Sequence, residues 1–268
     1  MSWTPEPLRA LVADASTVTR RVMASVLASL GEGIEVIEAA NGVKAAEFLA
    51  KTPFDLALID GGLPDRAGLD TLLQSREFGN ALLPVLMVDS VETLEPGLPA
   101  RLNAYECMAK PLEAHELRVI VTNLRAMRRT SSVLLVDDSA TARRLVARVA
   151  AESRFRLEVD AAEGGRSAIE QLGTKPYDAV FLDYMMPGLD GLETACIIQE
   201  KMPLTRVVIV SGSPSANLAR AARYFGAVDY LTKPFYPHEI DRAMHLALRL
   251  PVPSLMVEPD DTAPGRAA

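Results

Sequence analysis

The feature of this sequence that most restricts its possible folds is an internal repeat. Residues 54–60 (FDLALID) resemble residues 177–183 (YDAVFLD), and residues 108–111 (MAKP) resemble residues 231–234 (LTKP). Asp14 pairs with Asp138 in the same comparison, so the offset is 123 or 124 residues in these three matches. This period is too long for the unit of a solenoid and indicates a duplicated domain.

The length of the chain agrees with a duplication. Its 268 residues exceed the usual size of one domain, which is about 150 residues. We predict one domain over 1–130 and a second over 131–250. Residues 251–268 are rich in proline and in small or acidic residues, which predicts a disordered tail.

Within each copy, short apolar runs rich in β-branched residues alternate with segments of helical period. This alternation predicts an α/β fold in which each copy forms a doubly wound, five-stranded parallel sheet with helices on both faces. The strands predicted for the second copy are 132–137, 156–160, 178–182, 206–210 and 227–231. The helices predicted for it are 140–151, 164–173, 190–201, 215–225 and 236–249.

Several polar residues of the second copy lie where its predicted strands end. In a doubly wound sheet the ligand site lies beyond the carboxyl ends of the strands. We therefore expect these residues to meet in one site. They are Asp137, Asp138, Asp183, Ser211 and Lys233.

The residue types at this site predict phosphoryl chemistry. Three carboxylates at one sheet edge repel one another and need a cation, and Mg²⁺ is the natural candidate because it prefers oxygen ligands. With Asp137 and Asp138 on the metal, Asp183 is the expected nucleophile, because a carboxylate can accept a phosphoryl group as an aspartyl phosphate. Lys233 supplies a second cation, and the Ser211 hydroxyl can donate to a phosphoryl oxygen.

Four motifs of the second copy resemble the receiver domains of bacterial two-component response regulators. They are residues 136–139 (VDDS), 182–191 (LDYMMPGLDG), 210–212 (VSG) and 230–235 (YLTKPF). Over about residues 8–250 the chain resembles two such domains in tandem. The resemblance implies a flavodoxin-like fold for each copy.

The resemblance also implies a role for each motif residue. Asp183 is the phosphoacceptor, and Lys233 binds the phosphoryl group and is followed by a cis peptide bond to Pro234. Ser211 and Tyr230 form a coupled switch pair. The implied ligands of Mg²⁺ are Asp137, Asp138, Asp183 and the backbone carbonyl of Met185.

Each of these residues has a purely structural alternative. Asp138 or Ser139 can cap a helix, and Asp183 can be a turn residue. Lys233 and Pro234 can begin a helix. The occurrence of all of them at strand ends favours the functional interpretation.

The first copy lacks part of this pattern. It keeps Asp14, Asp60 and Lys110, but in this comparison Ala13 replaces one of the two adjacent acids. Asp89 stands in the place of the switch serine, so that an acceptor-only anion replaces a hydroxyl donor. The added negative charge disfavours a phosphoryl group on Asp60.

Other differences point the same way. Cys107 stands in the place of the switch tyrosine, and the loop after Asp60 begins with two glycines. Residues 94–99 (LEPGLP) interrupt the predicted fourth helix, because a proline inside a helix costs about 3 kcal/mol. We predict a pseudo-receiver, in which Lys110 pairs with Asp89 and holds a fixed surface. A weak but working receiver is the alternative.

The histidines and cysteines do not suggest a further metal site. His115 and His238 are expected in solvated first helical turns, and Arg242 stands where a metalloprotease helix needs its second histidine. Cys107 and Cys196 belong to no CxxC motif or Cys/His cluster, and we expect them to be buried thiols.

The charge distribution argues against direct nucleic-acid binding. The net charge is −7, with 13 basic and 17 acidic residues over 1–130 and 15 basic and 18 acidic residues over 131–268. Neither half carries the concentrated positive charge that displaces counterions from phosphates. The sequence also contains no apolar run of membrane-spanning length and no signal segment, which predicts a cytoplasmic location.

These patterns predict a response regulator without a separate output domain. A histidine kinase or a phosphotransfer protein phosphorylates it on Asp183, and its output is contact with a downstream protein. It is expected to catalyse only its own phosphorylation and dephosphorylation. A haloacid dehalogenase-class phosphatase is disfavoured, because residues 183–185 (DYM) lack that class's second acid. A non-phosphorylated scaffold and a two-site receiver that also uses Asp60 stay open.

Overall fold

The computed structural model describes residues 7–31, 33–74, 82–90, 95 and 97–257. It divides into two compact units, the first comprising the residues up to Arg125 together with Pro253–Leu255, and the second comprising Ala126–Val252 and the residues that follow Leu255. The predicted boundary at residue 130 lies at the start of the first strand of the second unit.

The first unit alternates strands and helices from its first strand onward. Its elements are β1 (Leu8–Ala13), α1 (Thr17–Ser29), β2 (Ile34–Ala39), α2 (Gly42–Lys51), β3 (Leu56–Asp60), α3 (Ala67–Gln74), β4 (Leu83–Val88), α4 (Leu98–Arg101), β5 (Glu106–Ala109) and α5 (Ala114–Arg128).

The second unit repeats this order. Its elements are β6 (Thr130–Val136), α6 (Ala140–Ala151), β7 (Arg156–Ala162), α7 (Gly165–Leu172), β8 (Ala179–Asp183), α8 (Gly191–Lys201), β9 (Arg206–Ser211), α9 (Ala216–Tyr224), β10 (Asp229–Thr232) and α10 (Pro237–Ala247). Every predicted strand and helix of this unit is present, and each predicted end lies within two residues of the observed one.

Both sheets are fully parallel and have the same strand order. The order is β2-β1-β3-β4-β5 in the first unit, and the corresponding β7-β6-β8-β9-β10 in the second. The central strands β3, β4, β8 and β9 are almost continuously buried, because helices cover both faces of a parallel sheet. The predicted flavodoxin-like, doubly wound fold is confirmed for both copies.

Hydrogen-bonding side chains fix where the helices begin after the strand ends. Ser16 caps α1 and Ser139 caps α6, each accepting a bond from the third residue after it. Asp190 and Glu193 form a reciprocal capping box at α8. These caps set the direction in which each chain leaves the sheet edge, and therefore position the loops around the site.

The fourth helix differs most between the two units. In the second unit α9 has nine residues, whereas α4 has four and follows Gly97, whose φ is +80°. The short α4 agrees with the prediction that the prolines of residues 94–99 interrupt the fourth helix. Residues 91–94 and 96 lie outside the described part of the chain.

The C-terminal segment only partly follows its prediction. Disorder was expected from residue 251, but residues 251–257 are described and Ser254–Met256 form a 3₁₀ helix. The cause is a pair of bonds from Ser254 to Glu106 of the first unit. Residues 258–268 lie outside the described residues. Within the described ranges, no helix is both long and apolar enough to cross a membrane.

Candidate functional site

Four adjacent strands of the second unit bring the predicted residues to one edge of the sheet. Asp137 and Asp138 follow β6, Asp183 ends β8, Ser211 ends β9 and Lys233 follows β10. Oxygen atoms of the three aspartates lie within 4.8 Å of one another. Asp137 and Asp183 are buried, while Asp138 is exposed.

Lys233 lies between two of these carboxylates. Its Nζ atom is 2.5 Å from Oδ2 of Asp137 and 2.6 Å from Oδ1 of Asp183. The peptide bond between Lys233 and Pro234 is cis, as predicted. The ammonium group therefore neutralises part of the negative charge that the sheet edge collects.

Burial and charge shift the pKa values of this pair. Burial raises the pKa of Asp183, and the negative charges of Asp137 and Asp138 act in the same direction, while Lys233 opposes them. Burial lowers the pKa of Lys233, but its bonds to Asp137 and Asp183 outweigh this and raise the pKa overall. Lys233 thus remains a cation while it holds Asp183.

The donor set of the site suits Mg²⁺. Three carboxylates offer the hard oxygen ligands that this ion prefers, and they come together on two neighbouring strands. The backbone N–H of Ser139 donates to Oδ1 of Asp137 at 2.8 Å, which fixes that carboxylate in place. The role of the Met185 carbonyl remains an implication of the family resemblance; the Met185 side chain is exposed.

The predicted switch residues share a hydrogen-bond acceptor. The Ser211 hydroxyl donates to the carbonyl oxygen of Ser213 at 3.2 Å, and the Tyr230 hydroxyl donates to the same oxygen at 2.8 Å. Ser211 is buried, and the half-buried Tyr230 packs against the core of the unit. Ser211 also lines a cleft with Asp183 and Lys233. The loop between β9 and α9 thus connects the acidic site to Tyr230.

The structural alternatives hold only for Ser139. Ser139 caps α6, whereas Asp138 does not. Asp183 is the last residue of β8, and Lys233 precedes the first residue of α10 by four positions, so neither is the turn residue nor the helix start considered as alternatives.

The histidines and cysteines mostly lie as expected. His115 and His238 are exposed residues in the first turns of α5 and α10. Both cysteines are free, and Cys107 is buried. Cys196 is only half-buried, because α8 turns it toward the edge of its packed face, which corrects the expectation for that thiol.

The first unit has the same lysine arrangement with fewer acids. Nζ of Lys110 is 2.9 Å from Oδ2 of Asp14 and 2.7 Å from Oδ1 of Asp60, and the Lys110–Pro111 bond is also cis. Asp89 is 4.0 Å away, with 95% of its side chain exposed. The expected Lys110–Asp89 pair is therefore present only as a long, exposed contact, and Lys110 is held mainly by Asp14 and Asp60. Among the described residues, only the second unit has three carboxylates grouped for a metal.

The structure also corrects which residue replaces the missing acid. Oδ1 of Asp14 accepts the N–H of the helix-capping Ser16, just as Oδ1 of Asp137 accepts that of Ser139. Asp14 therefore corresponds to Asp137, and the exposed Ala15 corresponds to the exposed Asp138. Ala13, which was expected to replace the acid, is a fully buried residue of β1.

The switch serine requires the same one-residue correction. The N–H of Lys110 donates to the Val88 carbonyl at 2.7 Å, and the N–H of Lys233 donates to the Ser211 carbonyl at 2.7 Å. Val88, and not Asp89, therefore takes the place of Ser211. The first unit has replaced a buried hydroxyl with a buried isopropyl group. Cys107 does correspond to Tyr230, because their strand registers match.

Arg66 is a feature of the first site that sequence reasoning missed. Its guanidinium group donates through Nη1 to the carbonyl oxygen of Gly61, and through Nε to Oδ2 of Asp70 at 3.0 Å. In the second unit the corresponding carbonyl, that of Tyr184, accepts the N–H of Gly191 instead. The sequence signal that could have predicted this contact is the position of Arg66, five residues after Gly61. Arg66 holds the loop after β3 in place of a backbone bond.

Comparison with known proteins identifies the family. The model of the response regulator receiver domain matches residues 10–122 and 133–245. The chain is 36% identical over 119 residues to the transcriptional regulatory protein ResD of Bacillus subtilis (strain 168), covering 44% of this chain and 48% of ResD. It is 35% identical over 113 residues to the two-component response regulator ORR11 of Oryza sativa subsp. indica, covering 41% of this chain and 76% of ORR11.

One solved structure matches nearly the whole of this chain. It is that of a probable two-component system response regulator/GGDEF domain protein, with 25% identity and a TM-score of 0.56. The match covers 91% of this chain and 99% of that chain, whereas this chain spans about half the length of ResD. The two family matches together account for most of the sequence. The chain belongs to the response regulator receiver domain family and carries two receiver domains in tandem.

Proposed function

We propose that the second receiver is a phosphoacceptor and that the first is a pseudo-receiver. The observation that carries this proposal is the difference in acids: oxygen atoms of Asp137, Asp138 and Asp183 lie within 4.8 Å of one another in the second unit, whereas the exposed Ala15 takes the place of Asp138 in the first. In this proposal a histidine kinase or a phosphotransfer protein donates the phosphoryl group, and the output is contact with a downstream protein.

Asp183 performs the transfer in this proposal. One of its carboxylate oxygens attacks the phosphorus atom of a phosphohistidine, so that a P–O bond forms while the P–N bond breaks and the imidazole leaves with the electron pair. Lys233 keeps the attacking carboxylate oriented and then binds a phosphoryl oxygen with its ammonium group. The chain would act on no other substrate, and would lose the phosphoryl group by hydrolysis.

Asp137, Asp138 and Asp183 would hold Mg²⁺. The ion would supply positive charge that offsets the charge of the phosphoryl oxygens. Asp137 is already oriented by Ser139, and the exposed Asp138 leaves the site open toward solvent. Lys233 would share its contacts between Asp183 and the incoming group.

Phosphorylation would act on the downstream surface through the β9–α9 loop. When the Ser211 hydroxyl turns toward a phosphoryl oxygen, it gives up its bond to the Ser213 carbonyl, which Tyr230 also holds. The loop, α9, β10 and α10 would then favour a second conformation that the partner binds. This proposal places the response surface near residues 214–249.

The first receiver would present a surface without a phosphoryl cycle. Ala15 removes one metal ligand, and Val88 removes the hydroxyl that would sense the phosphoryl group. Arg66 additionally fixes the loop beside Asp60. A two-site receiver and a non-phosphorylated scaffold are the competing proposals, and phosphorylation of Asp60 or of neither aspartate would favour them.

Phosphorylation with a small donor tests the proposal directly. The chain is incubated with acetyl phosphate with and without Mg²⁺, and the phosphorylated fraction is measured by intact-protein mass. We expect a gain of one phosphoryl group that needs Mg²⁺ and is lost in Asp183→Asn. Labelling of Asp183→Asn at the wild-type level would overturn the assignment of Asp183.

A further inference from the structure

A short C-terminal segment is held by the first receiver. We call residues 251–257 the strap; its Pro253–Leu255 part belongs to the first unit. The N–H of Ser254 donates to Oε2 of Glu106 at 2.9 Å, and the Ser254 hydroxyl donates to Oε1 of the same carboxylate. Pro253 is buried and Ser254 is exposed. One half-buried carboxylate therefore binds the strap through two donors.

In the second receiver the corresponding carboxylate is that of Asp229, and it has other hydrogen-bond donors. Glu106 pairs with Val85 in register, as Asp229 pairs with Val208, so both acids begin the last strand of their sheet. Asp229 accepts the N–H of the next residue and a bond of 2.8 Å from Arg242 on α10. Glu106 likewise accepts the N–H of Cys107.

The helix that follows Glu106 supplies no matching arginine. α5 begins 123 residues before α10, which places Val119 where α10 has Arg242. An aliphatic side chain cannot donate a hydrogen bond. Ser254 thus supplies hydrogen-bond donors to Glu106, as Arg242 does to Asp229, but without a positive charge.

The contact combines two hydrogen bonds to one carboxylate with a segment that contains two prolines. Hydrogen bonds to an ionised carboxylate are stronger than bonds between neutral groups, and two of them fix the orientation of the bound turn. Pro251 and Pro253 restrict the strap before binding, which reduces the conformational entropy that docking costs.

We propose that the Glu106 carboxylate is a docking site for a proline-preceded serine turn, and that the strap occupies it as the chain's own ligand. A partner segment that presents a backbone N–H and a serine hydroxyl after proline would compete with the strap. The first receiver would then bind such a partner only when the strap has left. This inference does not depend on the phosphorylation of either domain.

Hydrogen exchange of the full chain measures whether the strap is held this way. Ser254→Ala and Glu106→Gln should each speed exchange of the 254–257 amides roughly tenfold, and the double variant should exchange no faster than the faster single variant. Ser29→Ala is the matched control, because Ser29 is an exposed serine of the same unit whose hydroxyl bonds to a backbone carbonyl. Unchanged exchange in Ser254→Ala would overturn the proposal.

A synthetic peptide of residues 251–257 (PVPSLMV) tests the docking site itself. The peptide should bind full-length Ser254→Ala at least about tenfold more tightly than the wild-type chain, whose own strap competes at high effective concentration. Adding Glu106→Gln to Ser254→Ala should abolish that binding. Equal affinity for wild type and Ser254→Ala, binding that survives Glu106→Gln, or binding to neither chain would each overturn the proposal.

Discussion

Two of the residue differences between the receivers bear directly on a phosphoryl group. Ala15 stands where Asp138 stands, and Val88 stands where Ser211 stands, while the lysine and its two nearest carboxylates are retained. In the proposed division both changes disfavour a phosphoryl group on Asp60, because one removes a proposed metal ligand and the other removes a hydroxyl donor. At close range in a partly dry site such charge effects amount to about 1–4 kcal/mol.

Restoring these two residues should restore phosphorylation of the first receiver. We predict that Ala15→Asp with Val88→Ser gives Mg²⁺-dependent labelling of Asp60 with acetyl phosphate, read by mapping the modified peptide. Asp89→Ser is the control and should give none, because the Asp89 side chain lies exposed at the rim of the site. Restoration by Asp89→Ser alone would contradict the correspondence established by the backbone hydrogen bonds.

The exposed acid of the second site should set its demand for metal. Asp138→Asn removes one ligand charge, so the Mg²⁺ concentration that gives half-maximal labelling of Asp183 should rise about tenfold. The domain should remain folded, because Asp138 is exposed and contributes nothing to the core. Glu170→Gln, which changes an exposed carboxylate on α7 of the same unit, is the control and should leave the Mg²⁺ requirement unchanged.

At this scale the sequence identified the residue types more reliably than their correspondence. Three acids and a lysine at strand ends predicted the second site, because the ends of parallel strands meet at one sheet edge. The assignments of Asp14 and Asp89 were each wrong by one position: Asp14 was matched with Asp138 as acid with acid, and Asp89 was matched with Ser211. The hydrogen bonds of Ser16 and Lys110 place them correctly. The shared capping serine was the overlooked signal.

At the scale of elements, the β9–α9 loop is the predicted connection between site and surface. Ser211→Ala should leave Asp183 phosphorylation within about threefold of wild type but remove the response, because the hydroxyl only reports the phosphoryl group. The measurement is hydrogen exchange over 212–224 before and after phosphorylation. A phosphorylation-dependent change as large as that of wild type would contradict the role of Ser211. Tyr230→Phe removes the hydroxyl bond to the Ser213 carbonyl and so tests the second residue of the switch pair.

α10 carries a buried histidine that should make the second unit sensitive to acid. His245 is fully buried, its Nδ1 is 2.7 Å from the Asp241 carbonyl oxygen, and burial lowers its pKa to about 4. The unfolded chain binds a proton near pH 6.5, so the stabilisation by neutral His245 is complete above that pH and is lost as pH falls toward 4.

The loss of stability at low pH can be measured by comparing wild type with a variant that lacks His245. The free energy of unfolding of wild type minus that of His245→Gln should fall by about 2–3 kcal/mol between about pH 7.5 and about pH 4.5. Urea denaturation at the two pH values measures it, and the comparison with the variant removes the contributions of other titrating groups. An equal pH dependence of wild type and His245→Gln would contradict the assignment.

The secondary structure was more predictable than the loops. Apolar β-branched runs and helical periodicity predicted each strand and helix of the second unit, because buried parallel strands require such runs. The Arg66 contacts and the strap were not predicted, since each depends on residues that meet only after folding. Ser254 and Glu106 are 148 positions apart, and neither belongs to a motif.

At the scale of the whole molecule, the duplication joins two domains of one fold with different sites. Both sheets have the same order and both lysines hold two carboxylates. Only the second unit groups a third carboxylate with them among the described residues. The proposed division of function therefore depends on a few charges and hydroxyls at equivalent sheet edges, and not on a difference in fold.

The stoichiometry of phosphorylation tests this division most directly. Wild type, Asp60→Asn and Asp183→Asn are each incubated with acetyl phosphate and Mg²⁺ to saturation, and phosphoryl groups per chain are counted by intact-protein mass. We predict one group on wild type, one on Asp60→Asn and none on Asp183→Asn. Two groups on wild type, with one remaining on Asp183→Asn, would show that both receivers are phosphoacceptors and would contradict the proposed division.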